Sequence, residues 1–180
     1  MLESVFLVNC QKINDECVQA LAINCAQLKV LNVSCSEASV PYIHDETLKI
    51  LVENCKHLRF VKKRKYGRWC YQSELYLSYS AGITDNGILY LTGCTNLHVL
   101  DIDGMPSITE VAILAVIKEC TELKAFHICK NPNITEATFN AVQSYSKHLK
   151  KLFVHGSIAN IDAEKLQNIV QSNPLLSIKC

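Results

Sequence analysis

Apolar positions along this chain recur in one motif. Cys25, Cys55, Cys94 and Cys120 are each followed three residues later by a leucine: Leu28, Leu58, Leu97 and Leu123. The same offset joins Ser146 to Leu149 and Asn173 to Leu176. Cys94 to Cys120 is 26 residues, and Cys120 to Ser146 is 26 again. A fixed period of this size marks a stack of repeated units. Two further apolar residues, two apart, follow each leucine: Leu31/Val33, Leu100/Ile102, Phe126/Ile128 and Leu152/Val154, with Val5/Leu7 opening the chain in the same way. Such brief alternation predicts a short strand with one buried face. An isoleucine before a polar or acidic pair comes next: Ile13-Asn14-Asp15, Ile43-His44-Asp45, Ile83-Thr84-Asp85, Ile108-Thr109-Glu110 and Ile134-Thr135-Glu136, with Ile161-Asp162 a weaker sixth. Threonine before an acid starts a helix well, because the hydroxyl accepts from an orphan N–H and the acid sits at the positive end of the helix dipole. Apolar residues then follow at helical spacing, as in Val18/Leu21/Ala22/Cys25 and Ile113/Val116/Ile117/Cys120.

Each unit is therefore a strand, a turn and a helix of about three turns. Three residues past each strand's second apolar position lie Cys10, Ser36, Ser80, Met105, Asn131 and Ser157. Asn131 is expected to bond turn backbone there, and Met105 to pack. One unit cannot bury its apolar face alone, so neighbours stack. The expected fold is α/β, one domain over 1–180, with about six repeats of ~26 residues. The strands form a parallel sheet on a concave side and the helices line a convex side. Two insertions break the period. One lies at Ser34–Tyr42, where Pro41 interrupts the turn. The other lies near Val61–Ser73. Leu75 and Leu77 precede Ile83 by eight and six residues, as Leu100 and Ile102 precede Ile108. The third strand is accordingly placed at Glu74–Ser78, since a strand at Leu58–Lys63 would point Lys63 into the core.

Composition narrows the picture. The 180 residues are 49% hydrophobic and 19% charged with net charge +1, which excludes the signature of disorder and any global basic field for nucleic acid or membrane. No apolar stretch approaches the roughly 20 residues of a spanning helix, and the first ten residues lack the basic start and cleavage site of a signal peptide. There is no phosphate-binding glycine loop and no C-x-x-C pair. Of ten cysteines, four mark the repeat, which fits equivalent packing sites in a reduced protein rather than a disulfide framework. A cytoplasmic or nuclear location is expected on that basis.

The pattern C-x-x-L-x-x-L-x-[LIV], then C/N/S, then I-T-[DE], then L-x-x-L-x-x-x-C resembles the cysteine-containing leucine-rich repeat of F-box/LRR proteins and their F-box-less relatives; Cys94–Ser146 matches best. The resemblance implies a horseshoe-shaped leucine-rich-repeat solenoid, a right-handed β-α superhelix. It also implies a substrate-recognition arm of a ubiquitin-ligase receptor. The repeats here start at residue 2, so no F-box is expected, and this chain by itself is not expected to recruit the ligase adaptor. The alternative is a free-standing adaptor or scaffold, or part of a larger repeat protein. The partner expected is a protein, with neither membrane nor nucleic acid, and uncapped terminal repeats leave room for an end-to-end contact.

Two places stand out for binding. One concave column reads Phe6, Asn32, Tyr76, Asp101, His127 and Phe153, and beside it fall Asp103, Cys129 and His155. Exposed aromatics are good anchors. Asp103, His127, Cys129 and His155 on adjacent strands also suggest a Cys–His–Asp nucleophile or a zinc site. Parallel neighbours supply proximity without convergent geometry, so polar lining is the preferred reading, with no catalytic residue, metal or other cofactor expected. His44, His57, His98 and His148 are expected to be solvated. The second place is the insertion Lys62–Tyr71, with Lys62, Lys63, Arg64, Lys65 and Arg68 around Tyr66, Trp69 and Tyr71. It reads as a solvated loop, a nuclear-localisation patch or a docking loop for an acidic or phosphorylated partner. Replacing all four residues of Lys62–Lys65 with serine is expected to weaken partner binding or nuclear entry. Unchanged binding and unchanged imaging of a tagged chain would leave a solvated loop.

Overall fold

The computed structural model describes residues 2–10, 12–34, 43–59, 73–157, 163–172 and 174–179, and among these seven short strands are separated by helices, with two helices between the second and third strands. The strands are β1 (Ser4–Phe6), β2 (Val30–Asn32), β3 (Ser73–Tyr76), β4 (Leu97–Asp101), β5 (Ala125–His127), β6 (Lys151–Phe153) and β7 (Ser177–Lys179). They form one wholly parallel sheet in strict chain order. The helices are α1 (Asp15–Asn24), α2 (Asp45–Asn54), α3 (Lys56–Arg59), α4 (Asp85–Tyr90), α5 (Glu110–Glu119), α6 (Glu136–Tyr145) and α7 (Ala163–Ser172). A single 3-10 turn, Leu91–Gly93, extends α4. The alternating α/β order and the repeat are as the periodicity predicts. The seventh strand lies where the sixth expected unit ends.

The core is a set of ladders. Leu31, Leu75, Leu100, Phe126 and Leu152 are register partners on successive strands, and all are buried. Val33, Leu77, Ile102, Ile128 and Val154 form a second buried row. Both rows pack with Val18, Leu48, Ile88, Ile113 and Phe139 from the helices in one continuous core. Burying one leucine is worth roughly 1.5–3 kcal/mol, and here the water-excluding surface comes from the neighbouring repeat. The third strand falls on Leu75 as placed from sequence, beginning one residue earlier and ending two earlier than expected. Residues 35–42 and 60–72 of the two insertions lie outside the described residues.

The cysteine of the repeat closes four of the helical segments. Cys25, Cys55, Cys94 and Cys120 are C-caps, their N–H groups donating to Leu21, Leu51, Leu91 and Val116. The thiols of Cys55 and Cys120 reach back to carbonyls of preceding units, Ala22 at 3.6 Å and Leu91 at 3.5 Å. A small, weakly donating side chain fits a site that faces both apolar neighbours and a carbonyl. No disulfide occurs among the described cysteines.

Asn14, Thr84, Thr109 and Thr135 cap their helices as predicted. The acids beside them have a second role that the sequence reading missed. Asp15 accepts from His44 N at 2.9 Å and from the Thr47 hydroxyl. Asp45 accepts from Thr84 N and Oγ1 at 2.8 and 2.6 Å, and Asp85 from Thr109 N and Oγ1 at 2.7 and 2.5 Å. Glu110 accepts from the Thr135 and Thr138 hydroxyls. Each carboxylate thus stands in the first turn of its own helix and holds the start of the next, tying unit to unit. At Asp15, burial works to raise the pKa, and the bonds from Thr47 and His44 outweigh it, so the carboxyl sits below its usual 3.8. Its contribution is present above that pH and lost as the pH falls below it.

Three local expectations are corrected. His98 is buried, because Ser73 pairs with Leu97 and Glu74 with Val99, and the bulge turns His98 inward. Ser78, placed in sequence beside Asp103 and Cys129 on the concave side, is also buried. Asn131 is buried, yet its side-chain amide finds no protein partner. Ser157 of the next unit does that work instead, its hydroxyl accepting from Asn131 N at 2.8 Å and donating to Ile128 O at 2.8 Å.

The ladder explains one glycine. A Cβ on Gly87 would lie 2.3 Å from Asp45 Oδ1, the atom that receives Thr84 N. Gly87→Ala is expected to destabilise the fold by about 1–3 kcal/mol in urea unfolding, the lost charge-assisted bonds outweighing the helix propensity gained. A rise in stability would show that the Asp45 bridge contributes nothing.

Candidate interaction face

The register of the sheet fixes which side chains share its open face. Phe6, Asn32, Tyr76, Asp101, His127, Phe153 and Lys179 are direct partners on β1 to β7. The first six are the column read from sequence, brought together as expected, and Lys179 extends it. Each alternates with a core residue, because side chains on a strand point to opposite faces. Phe6 is 63% exposed and Val8, two residues on, is 49% exposed. The other five of the six are half-buried against their neighbours. The six residues of the basic insertion, Lys62, Lys63, Arg64, Lys65, Arg68 and Trp69, lie outside the described residues.

The face is chemically graded along the stack. Its β1 end is apolar, with Phe6 and Val8. In the middle, Glu74, Asp101 and Asp103 are acidic, and the Tyr76 hydroxyl donates to Glu74 Oε2 at 3.0 Å. Burial first, then the Glu74 charge and this bond, push the Tyr76 phenol above its ordinary pKa. Further along, the His127 ring stacks on Phe153 at 3.9 Å with the planes 17° apart. The β7 end is basic, with Lys151 and Lys179 exposed.

The strand exits are held by side chains on this face. Asp103 N donates to Asp101 Oδ1 at 3.1 Å, and Ser34 N donates to Asn32 Oδ1 at 3.0 Å in the equivalent place. Cys129 N donates to Asp103 Oδ1 at 2.6 Å. Burial and the nearby Asp101 charge raise the Asp103 pKa to about 6, the Cys129 bonds opposing. A raised carboxyl pKa means the fold holds this proton more tightly than the unfolded chain. Asp103 therefore lowers stability as the pH climbs from its ordinary 3.8 through 6. Burial lowers the His127 pKa, opposed by Asp101 and reinforced by Lys151.

Of the four residues suggested for a nucleophile or zinc site, the structure brings two, Asp103 and His127, into a convergent group, and Asp101 joins them. Cys129 lies beside Asp103, but burial and the aspartate charge raise its thiol to about 11. Nucleophilic attack needs the thiolate, so this environment works against it. His155 is exposed on the next strand exit.

No family model matches the chain, and no curated protein does. Among solved structures it is similar to the tropomodulin C-terminal domain of Caenorhabditis elegans, with a TM-score of 0.58 at 13% identity over 89% of this chain and 91% of that one. At that identity the likeness extends to the fold, a parallel sheet alternating with helices along nearly the whole length of both. Among the described residues, no helix is long and apolar enough to cross a membrane.

At pH 8, Cys129 is expected to react with iodoacetamide more slowly than the exposed Cys17, followed by mass spectrometry of each peptide. Faster alkylation at Cys129 would revive the nucleophile.

Proposed function

We propose that this chain is a non-catalytic protein-binding module of the leucine-rich-repeat kind, a curved right-handed solenoid that takes its partner on the open face of the sheet. The observation that carries this reading is the column Phe6–Asn32–Tyr76–Asp101–His127–Phe153. It sets one side chain per repeat in unbroken register, with an exposed aromatic at one end and the acid Asp101 in the middle. Repeat proteins bind partners on surfaces of this kind. Rigid aromatic side chains supply contact area at low entropic cost, and flanking charges set register and specificity. The apolar-to-acidic-to-basic gradient would fix the direction in which an extended partner segment lies.

The ubiquitin-ligase reading rests on the repeat resemblance of Cys25–Leu28, Cys55–Leu58, Cys94–Leu97 and Cys120–Leu123, and makes the partner a substrate. The adaptor or scaffold reading uses the same face. An end-to-end contact is the third element of the proposal: among the described residues β1 and β7 are the edge strands of the sheet, and Leu175 near β7 is 74% exposed.

A photo-crosslinking residue at position 76 is expected to capture a discrete protein in cells, whereas the same residue at Val111, 65% exposed on α5, is not. Phe6→Ala and Asp101→Lys should each weaken capture by that protein at least tenfold, about 1.4 kcal/mol. Equal capture from both positions, or insensitivity to both substitutions, would sink the open-face assignment.

A further inference from the structure

Between β4 and β5 three different side chains converge. One carboxylate oxygen each from Asp101 and Asp103 and one ring nitrogen of His127 lie within 4.8 Å of one another. We propose that these residues bind a divalent transition-metal ion of the zinc type. The group is not simply a patch of acids, because histidine, the commonest metal-binding side chain, completes it. Two carboxylates and an imidazole offer nitrogen and oxygen donors with two negative charges, matched to a divalent ion.

The geometry follows from the register. Asp101 and His127 are direct partners on adjacent strands, about 4.8 Å apart, and Asp103 is two residues further along on the same side. A tetrahedral ion with bonds of about 2.1 Å needs donors about 3.4 Å apart. The three donors, all within 4.8 Å of one another, stand near that spacing before any ion is bound.

The donors are also held from behind, as metal ligands generally are. Asp101 Oδ1 accepts from Asp103 N, Asp103 Oδ1 accepts from Cys129 N, and the His127 ring lies flat on Phe153. Among the described residues neither carboxylate is in an ion pair, and Lys130 and Lys151 act on Asp103 and His127 only through space. Three protein ligands leave a fourth position open toward the face, the layout of a zinc site that accepts a further ligand. Calcium fits poorly, since it takes six to eight oxygens and gains little from an imidazole. The sequence reading assigned no metal because parallel neighbours alone do not converge. Here convergence comes from Asp101, which that reading placed in the column and left out of the ligand set.

The test uses the intact 180-residue chain and zinc or cobalt alone. Zinc, titrated against a chromophoric chelator, is expected to bind at one ion per chain, with excess calcium failing to compete. Cobalt should give visible d–d absorption without a thiolate charge-transfer band, which separates this site from the ten cysteines. His127→Gln and Asp103→Asn should each lower affinity at least tenfold, and Cys17→Ser should leave it unchanged. Should either variant fold poorly by circular dichroism, the His127 ring nitrogens of the unaltered chain decide, since their NMR shifts must move on adding zinc. Absence of binding, a thiolate band, affinity retained in both folded variants, or an unmoved His127 signal would each overturn the proposal.

Discussion

Everything in this molecule depends on parallel pairing between strands too short to stand alone. A strand of three residues has little buried surface of its own. It persists because Leu31, Leu75, Leu100, Phe126 and Leu152 stack on one another, each screened from water by the next unit. Stability in such a stack is roughly the sum of unit and interface terms. The same register that builds the core necessarily lines up the residues between the core positions. The open face is therefore a by-product of the packing constraint, with its chemistry chosen one residue per repeat.

Polar side chains then give the stack of similar units one direction. The carboxylates Asp15, Asp45, Asp85 and Glu110 each hold the start of a neighbouring helix. Asp45 with Thr84 and Asp85 with Thr109 make the same pair of bonds, and every bond runs from one helix to the start of the next, so the ladder sets the direction of stacking. Hydrogen bonds to an ionised acceptor are among the stronger ones, and an unpaired partner is expensive. Apolar ladders supply most of the stabilisation; the acid ladder supplies direction and order.

The parts of this fold that repeat were legible in the amino-acid order, and those that depend on one unit meeting another were less so. Cys–x–x–Leu spacing located most strands and helices, and the distance of Leu75 and Leu77 from Ile83 located the third strand after a long insertion, because hydrophobic period is a local signal. His98 was misplaced because a bulge between Ser73 and Glu74 shifts its face, and bulges leave no mark in period. Asn131 was given a role that Ser157 performs, since which of two facing polar residues reaches the turn depends on the gap between units. On the open face, the column was readable from alternation. The convergence of Asp101, Asp103 and His127 was not, because it combines a cross-strand neighbour with a residue two further along the chain.

The cysteines at the helix ends carry one more consequence. Burial raises Cys55 to about 11 and Cys120 to about 12, so in the closed stack these thiols are both hidden and protonated. Opening of one unit would expose its own thiol and restore ordinary reactivity there. The chain therefore holds a set of natural timers spaced along its length. Their labelling rates would rank the repeats by local opening free energy, distinguishing a molecule that frays from its ends from one that melts all at once.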